Sequence, residues 1–95
     1  MTFTSSKKIL SMNLKYYRIK YTLSQEKFAE KVGSNLVYIN QLENCKRRPT
    51  IDMLDKIADG MNKNIDSKLK MTSSKLLRYD SSHKTNFIRI DEKKK

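Results

Sequence analysis

The chain has 95 residues and a formal net charge of +11, with 21 Lys and Arg side chains against 10 Asp and Glu. This length suits one small domain, and the charge excess favours a polyanionic partner, so nucleic acid is the expected ligand class. A single cysteine and a single histidine exclude an internal disulfide and a Cys/His metal cluster, and they leave few candidates for a nucleophile and its base. We therefore expect no enzyme activity, no metal, no cofactor and no small-molecule ligand.

The apolar runs of the sequence are too short to cross a bilayer. The N-terminal segment MTFTSSKKIL also lacks the apolar stretch and the small-residue cleavage site of a secretory signal. We expect a cytoplasmic protein that does not bind a membrane.

The positive charge lies on the flanks of the chain. Residues 1–23 carry five basic and no acidic side chains, residues 24–60 carry six of each, and residues 61–95 carry ten basic against four acidic. Non-specific attraction to phosphates needs only these flanks, so a role in reading a base sequence must come from the neutral middle.

Apolar residues at spacings of three and four predict four amphipathic helices between residues 7 and 61. Their buried stripes are expected at Ile9, Leu10, Leu14, Tyr17 and Tyr21, at Phe28, Ala29 and Val32, at Ile39 and Leu42, and at Ile51, Leu54, Ile57, Ala58 and Met61. Ser24, Asn35 and Thr50 are the expected N-caps of the second, third and fourth helices. Gly33 and Pro49 follow the second and third helices, where a helix must stop. A short fifth helix is expected over residues 65–70, capped by Asn64.

The pattern changes after Met71. The runs KLLRYD and TNFIRIDE are β-prone and their separation suits a hairpin, while a frayed or helical tail is the competing interpretation. We expect His83 to lie in the loop between them, and the closing DEKKK to be disordered.

The second and third helices, joined by a short turn that contains Gly33, form a helix-turn-helix over residues 25–43. The second helix of such a motif, here residues 35–43, fits the major groove of B-DNA and presents one face to base edges. The sequence therefore predicts a motif that reads duplex DNA.

At these residues the chain resembles the Cro and lambda-repressor family, also called the Xre-type regulators. The markers are Arg18, LSQEKFAEKVG, YINQLENCKRRP and the apolar fourth helix. The resemblance, which runs from about Leu14 to Leu69, implies an all-α, compact five-helix DNA-binding domain, here assigned to residues 7–70. Residues 71–95 then form a basic C-terminal extension. The resemblance also implies binding as a homodimer to a pseudo-palindromic operator in double-stranded DNA.

The resemblance assigns roles by position. The base-contacting residues would be Leu36, Val37, Asn40 and Gln41. The phosphate-contacting residues would be Gln25, Asn35, Tyr38, Lys46, Arg47 and Arg48. Arg18 and Glu43 would form a structural salt bridge. Independently of the family, Asn and Gln amides pair bidentately with adenine, and Leu and Val pack on a thymine methyl, so an A·T-leaning half-site is expected. The competing interpretations are core packing for Leu36 and Val37 and a solvated helix surface for Asn40 and Gln41.

The chain departs from the family pattern in its turns. Thr22 and Cys45 stand where glycine is usual, so these turns must accept strain or change geometry. Ser34 replaces a commonly apolar residue. Cys45 is interpreted as an incidental small residue, with a redox-sensing thiol as the alternative.

The function predicted from the sequence is a transcriptional regulator, with repression the favoured mode. Its dimer seam is expected among Ile65, Leu69, Leu76, Leu77, Tyr79, Phe87, Ile88 and Ile90. Two other functions stay open at this point. One is an antitoxin that covers a toxin with its tail and autoregulates through the helix-turn-helix, and the other is a general basic nucleic-acid binder.

Overall fold

The computed structural model describes residues 5–83, and these residues are helical without a strand. The helices are α1 (Ser6–Lys20), α2 (Gln25–Lys31), α3 (Leu36–Glu43), α4 (Ile51–Asn64) and α5 (Ser73–Leu76). A helical turn at residues 81–83 follows them. The first four helices agree with the sequence prediction to within one to three residues at their ends, the largest difference being α4, which continues three residues beyond Met61.

The predicted N-caps of α2, α3 and α4 are confirmed. The side chains of Ser24, Asn35 and Thr50 each accept a hydrogen bond from the backbone N–H three residues later, at 3.1, 2.9 and 3.1 Å. Each cap satisfies one of the N–H groups that a helix leaves without an internal partner. These three residues therefore fix where α2, α3 and α4 begin.

One apolar core joins all five helices. Its fully buried side chains include Leu10, Leu14, Phe28, Ile39, Leu42, Leu54, Ile57, Met61 and Leu76. The predicted stripes of α2 and α3 are confirmed, whereas the prediction for Ile51 is wrong because 63% of this residue is exposed. Ile51 lies in the first turn of α4, directly after its cap, where the helix has not yet reached the core.

Helices α1, α2 and α3 end in the same way. After each helix, a residue with positive φ is followed by a backbone N–H that bonds five residues back: Leu23 to Arg18, Ser34 to Ala29 and Lys46 to Gln41, at 2.8–2.9 Å. This is the Schellman motif, which usually places glycine at the left-handed position. Only Gly33 (φ 73°) meets that preference, while Thr22 (φ 54°) and Cys45 (φ 60°) adopt the same conformation with a side chain. Both turns therefore keep the Schellman geometry with a side chain in the strained left-handed region.

Gly60 sets the separation of α2 and α4. A Cβ atom at this position would lie 2.6 Å from the Cα of Val32, which is closer than real Cβ contacts come. The two backbones therefore approach each other where the α4 side chain is a single hydrogen. This contact fixes the position of α2 against α4, and therefore also the position of the turn that leads into α3.

Two predictions for the C-terminal third are wrong. Residues 65–70 are turns rather than a helix, because α4 continues to Asn64 and the fifth helix begins after Thr72 instead. Asn62 holds the start of that segment: its amide accepts from the N–H of Met71 and donates to the carbonyl of Met71 at 2.9 Å. The run KLLRYD lies in α5 and the turn after it rather than in a strand, and the run TNFIRIDE lies outside the described residues.

His83 lies in the helical turn at residues 81–83 and is buried against α1, so the prediction that it lies in a loop is wrong. Only 6% of His83 is exposed, its Nδ1 lies 2.6 Å from Oδ1 of Asn13, and its ring stacks on Tyr16 with the ring centres 3.8 Å apart. Asn13 also donates to the carbonyls of Leu76 and Arg78, at 2.6 and 3.0 Å. A single buried amide on α1 thus binds the segment that follows α5.

Part of the predicted dimer seam is core. Leu76 is fully buried, and Ile65, Leu69 and Leu77 pack against the core from its edge. Tyr79 stays 49% exposed. The remaining seam candidates, Phe87, Ile88 and Ile90, lie outside the described residues.

Candidate nucleic-acid interface

After the short turn that follows α2, helix α3 has one face packed on the core and the opposite face exposed to solvent. Ile39 and Leu42 bury the inner face of α3 against the core that contains Phe28. On the outer face, Leu36 is 46% exposed and Val37 is 64% exposed, and Asn40 is also exposed. Gln41 is half-buried. The four predicted base-contacting residues are therefore together on one accessible surface, and core packing is wrong for Leu36 and Val37.

A chain of hydrogen bonds crosses from α1 to this surface. Arg18 donates from Nε and Nη2 to the two carboxylate oxygens of Glu43, at 2.7 and 2.9 Å. Gln25 Nε2 donates to the same carboxylate at 3.0 Å, and Asn40 Nδ2 donates to Gln25 Oε1 at 3.1 Å. The Glu43 side chain is fully buried. The position of the Asn40 amide on the surface is thus tied to an ion pair in the interior.

A second polar contact lies at the other side of the outer face. Arg47 Nε donates to Gln41 Oε1 at 2.7 Å, and the Arg47 guanidinium lies 5.1 Å from the ring centre of Tyr38. A cation over an aromatic face is attracted by the ring quadrupole. Burial raises the pKa of the Tyr38 phenol and Arg47 acts in the opposite direction, so Tyr38 keeps its proton near neutral pH and is able to donate a hydrogen bond.

The accessible charged side chains near α3 lie beside its outer face rather than on it. Glu43 is the one charged residue within α3, and it is buried in its ion pair. The basic residues Lys46, Arg47 and Arg48 follow the helix directly and are exposed. The accessible face is uncharged, and cations border it.

Two site assignments gain a structural role that the sequence did not indicate. Asn35, expected at a phosphate, uses its side-chain oxygen to cap α3. Gln25, also expected at a phosphate, uses its amide to join Glu43 to Asn40. No local sequence pattern predicts the hydrogen bond between Gln25 and Asn40, because the two residues lie on different helices.

Within residues 5–83, no group of three or more His, Cys, Asp or Glu side chains is placed to hold a metal ion. No helix of this part of the chain is both long and apolar enough to span a membrane. Cys45 is half-buried, and its Sγ lies 3.8 Å from the carbonyl of Lys7.

A helix pair with a short turn, an uncharged outward face on its second helix and cations at its edge defines a helix-turn-helix of the DNA-binding class. A family model described as Helix-turn-helix matches residues 14–67, which is more than half of the chain. The chain belongs to this Cro/C1-type, Xre-like helix-turn-helix family. It is accordingly a DNA-binding regulator of transcription whose ligand is double-stranded DNA. Searches of curated proteins and of solved structures returned no significant match.

Proposed function

We propose that the protein is a sequence-specific repressor that binds a pseudo-palindromic operator as a homodimer, with α3 of each protomer in the major groove. The observation that carries the proposal is the accessible, uncharged face of α3 with Lys46, Arg47 and Arg48 at its edge. A neutral face is able to approach base edges, while the bordering cations meet the phosphates of the groove wall.

The base contacts come from the outer face of α3. Leu36 and Val37 are exposed apolar side chains and pack on thymine methyl groups. Asn40 and Gln41 supply amides that hydrogen-bond to base edges. This set favours A·T pairs in the half-site.

The phosphate contacts surround that face. The cations at 46–48 lie beyond the C-terminal end of α3, and the Arg47 guanidinium lies over the ring of Tyr38, which belongs to the first turn of that helix. Gln25 and Asn35 lie at the starts of α2 and α3. The backbone N–H groups at a helix start also favour an anion. Each phosphate neutralised by a cation releases condensed counterions, so affinity falls as salt rises.

Two copies of α3 would enter successive major grooves about 34 Å apart. The exposed Tyr79, with the half-buried Leu69 and Leu77 near the same end of the chain, supports a seam on the C-terminal side of the domain. A dimer seated in this way covers its site against other proteins, which is how it would repress.

The test is selection of binding sites from random duplex DNA by the full-length protein, followed by titration of the winning site between 50 and 200 mM salt. The expected result is an A·T-leaning inverted repeat, a dimer in sedimentation, and an affinity that drops steeply with salt. Selection of G-rich sites would overturn the base assignment, and a flat salt dependence would overturn the phosphate clamp. Equal affinity for unrelated sequences would favour a general nucleic-acid binder, and co-purification with one stoichiometric protein partner would favour the antitoxin.

A further inference from the structure

The outward face of α3 carries two neighbouring amides, Asn40 and Gln41, that the protein itself engages differently. The Asn40 amide donates to Gln25, whereas the Gln41 amide accepts from Arg47. We propose that these intramolecular partners fix different base preferences at adjacent positions of the half-site, adenine opposite Asn40 and guanine opposite Gln41. This inference rests on the proposed function and refines it: the half-site keeps its A·T preference except at the base opposite Gln41, where a single guanine is expected.

The orientation of the Asn40 amide follows from a carboxylate. Glu43 has only acceptor atoms, so the end of the Gln25 amide that contacts it must be the NH₂ group. The oxygen of Gln25 then faces Asn40, and the group of Asn40 within hydrogen-bond reach of that oxygen must again be NH₂. Within residues 5–83, Asn40 Oδ1 makes no hydrogen bond. Asn40 therefore offers one acceptor and its second N–H donor.

This donor and acceptor pair matches adenine. In the major groove adenine presents the N7 acceptor beside the N6 donor, and a suitably turned Asn amide meets both. Guanine presents two acceptors, N7 and O6, of which the oxygen of Asn40 would oppose one. Gln25 holds Asn40 in place before DNA arrives, so less side-chain freedom is lost on binding. Gln25 is thus a positioning residue for the base contact of Asn40.

The orientation of Gln41 follows from a cation. Arg47 has only donors, so the Gln41 atom 2.7 Å from its Nε must be the oxygen. The guanidinium also rests over Tyr38, which limits where it sits. Gln41 then presents its NH₂ group beside a positive charge. A donor-rich, positive edge repels the N6 donor of adenine and attracts the N7 and O6 acceptors of guanine.

The first arm of the experiment tests Gln25. Synthetic duplexes carrying each of the four base pairs at every half-site position are titrated with the wild type, and the base facing Asn40 is the one whose discrimination Asn40→Ala abolishes. The wild type is expected to prefer adenine there by roughly 5- to 150-fold, the range for a bidentate pair. Gln25→Ala is expected to reduce this ratio several-fold, in addition to any loss of affinity shared by all duplexes. Replacing the adenine by 7-deazaadenine, which lacks N7, should cost the wild type more than it costs Gln25→Ala.

The second arm uses two neighbouring arginines. Arg47→Ala and Arg48→Ala each remove one exposed cation, so both are expected to weaken binding to every duplex. Only Arg47→Ala frees the oxygen of Gln41, and it should shift the base opposite Gln41 from guanine toward adenine by several-fold. Arg48→Ala should leave that ratio unchanged. Circular dichroism melts of each variant establish that the fold is retained, and because the readout is a ratio between duplexes, a smaller folded fraction cancels.

The outcomes separate the inference from the proposed function. A protein that binds all duplexes alike would overturn both. If the protein is sequence-specific, two results would overturn the inference alone. One is a Gln25→Ala variant that keeps the wild-type preference for adenine opposite Asn40, and the other is a pair of arginine variants that lose affinity equally for every duplex. A reduced preference for adenine in Gln25→Ala, together with a changed base preference opposite Gln41 in Arg47→Ala and not in Arg48→Ala, would establish the inference.

Discussion

Arg18 on α1 donates two hydrogen bonds to the carboxylate of Glu43 on α3, from Nε to Oε2 at 2.7 Å and from Nη2 to Oε1 at 2.9 Å. The Glu43 side chain is fully buried and only 17% of the Arg18 side chain is exposed. Arg18 also donates from Nη1 to the carbonyl of Leu23, just beyond the end of α1. One guanidinium thereby ties the end of α1, the turn after it and the last residue of α3 together.

Removing Glu43 should be costly. Glu43→Ala leaves the Arg18 guanidinium largely buried without its partner, and breaking a buried pair in this way costs about 3–5 kcal/mol. Urea unfolding measures the change in the free energy of unfolding. Glu30→Ala is the matched control, because Glu30 is exposed and its 3.6 Å contact with Lys27 is a surface pair worth about 1 kcal/mol or less. Similar losses for the two variants would contradict the structural role of the pair.

The sequence predicts α1 to α4 well because their signals are local. An apolar stripe with a spacing of three or four and a Ser, Thr or Asn before it reports on a few adjacent residues, and Ser24, Asn35 and Thr50 all cap as expected. Near Asn64 the local signal misleads. Asn64 is a credible N-cap in sequence, but it is the last residue of α4, and its side chain instead donates to the carbonyl of Lys31 at 2.8 Å.

The interface was less predictable than the helices. The position of its residues on α3 follows from helical spacing, so Leu36, Val37 and Asn40 are exposed as expected once Ile39 and Leu42 are buried. The polar partners depend on residues far apart in the chain. His83 shows the same limit, since its partner Asn13 lies 70 residues earlier and nothing near either residue announces the contact.

Thr22 is a site where the protein should gain stability. An L-residue in the left-handed region costs about 1–2 kcal/mol relative to the right-handed one, and a β-branched residue is especially disfavoured there. Thr22→Gly removes that strain, offset by the greater freedom of glycine in the unfolded chain. The net gain should be up to about 1 kcal/mol, or a rise in Tm of about 4–8 °C per kcal/mol.

Thr22→Ala is the control for this gain. Both variants lose the hydrogen bond from the Thr22 hydroxyl to the carbonyl of Tyr21 at 2.6 Å, but alanine keeps the Cβ atom that causes the strain. We expect no rise in Tm for alanine in a thermal melt. A glycine variant that melts with or below the alanine variant would show that the turn is not strained.

Gly60→Ala should destabilise the protein although alanine is the better helix former. Alanine gains about 1 kcal/mol in helix propensity, but its Cβ would lie 2.6 Å from the Cα and 3.2 Å from the carbonyl carbon of Val32. The clash is with backbone atoms, which cannot change rotamer to relieve it, so α2 must move. Overpacking of this kind costs about 1–3 kcal/mol. Asp55→Ala, on the exposed face of the same helix, should change stability by about 0.5 kcal/mol or less. Urea unfolding distinguishes the two, and an increase in stability for Gly60→Ala would mean that α2 and α4 are further apart than described.

The contact between Asn13 and His83 places a proton on Nδ1 of the ring. Asn13 uses its NH₂ group on the carbonyls of Leu76 and Arg78, so its oxygen faces His83 and Nδ1 must carry a proton. Asp80 Oδ2 lies 3.4 Å from the other ring nitrogen. Hydrogen bonds from Ser82 hold the pKa of Asp80 below 3.8, so Asp80 stays ionised above pH 5. Burial nevertheless holds the pKa of His83 below 6.5, with Asp80 acting against that shift and Lys20 adding to it.

Stability should therefore fall as the pH drops below about 6.5. The pKa of His83 is lowered in the folded protein and 6.5 in the unfolded chain, so between these two values the unfolded chain binds more protons. The free energy of unfolding therefore rises with pH across that window, and the rise is complete above it. His83 is the one histidine of the chain, and no other side-chain type ordinarily titrates between pH 5 and 7. Urea unfolding at pH 5 to 7.5 measures the slope, and NMR titration of the ring measures the pKa directly. His83→Gln does not titrate in this range and still carries an N–H group, so its stability should stay level across the same pH range. A ring that titrates at or above 6.5, or a wild-type stability that is equally level, would contradict the burial of His83 against α1.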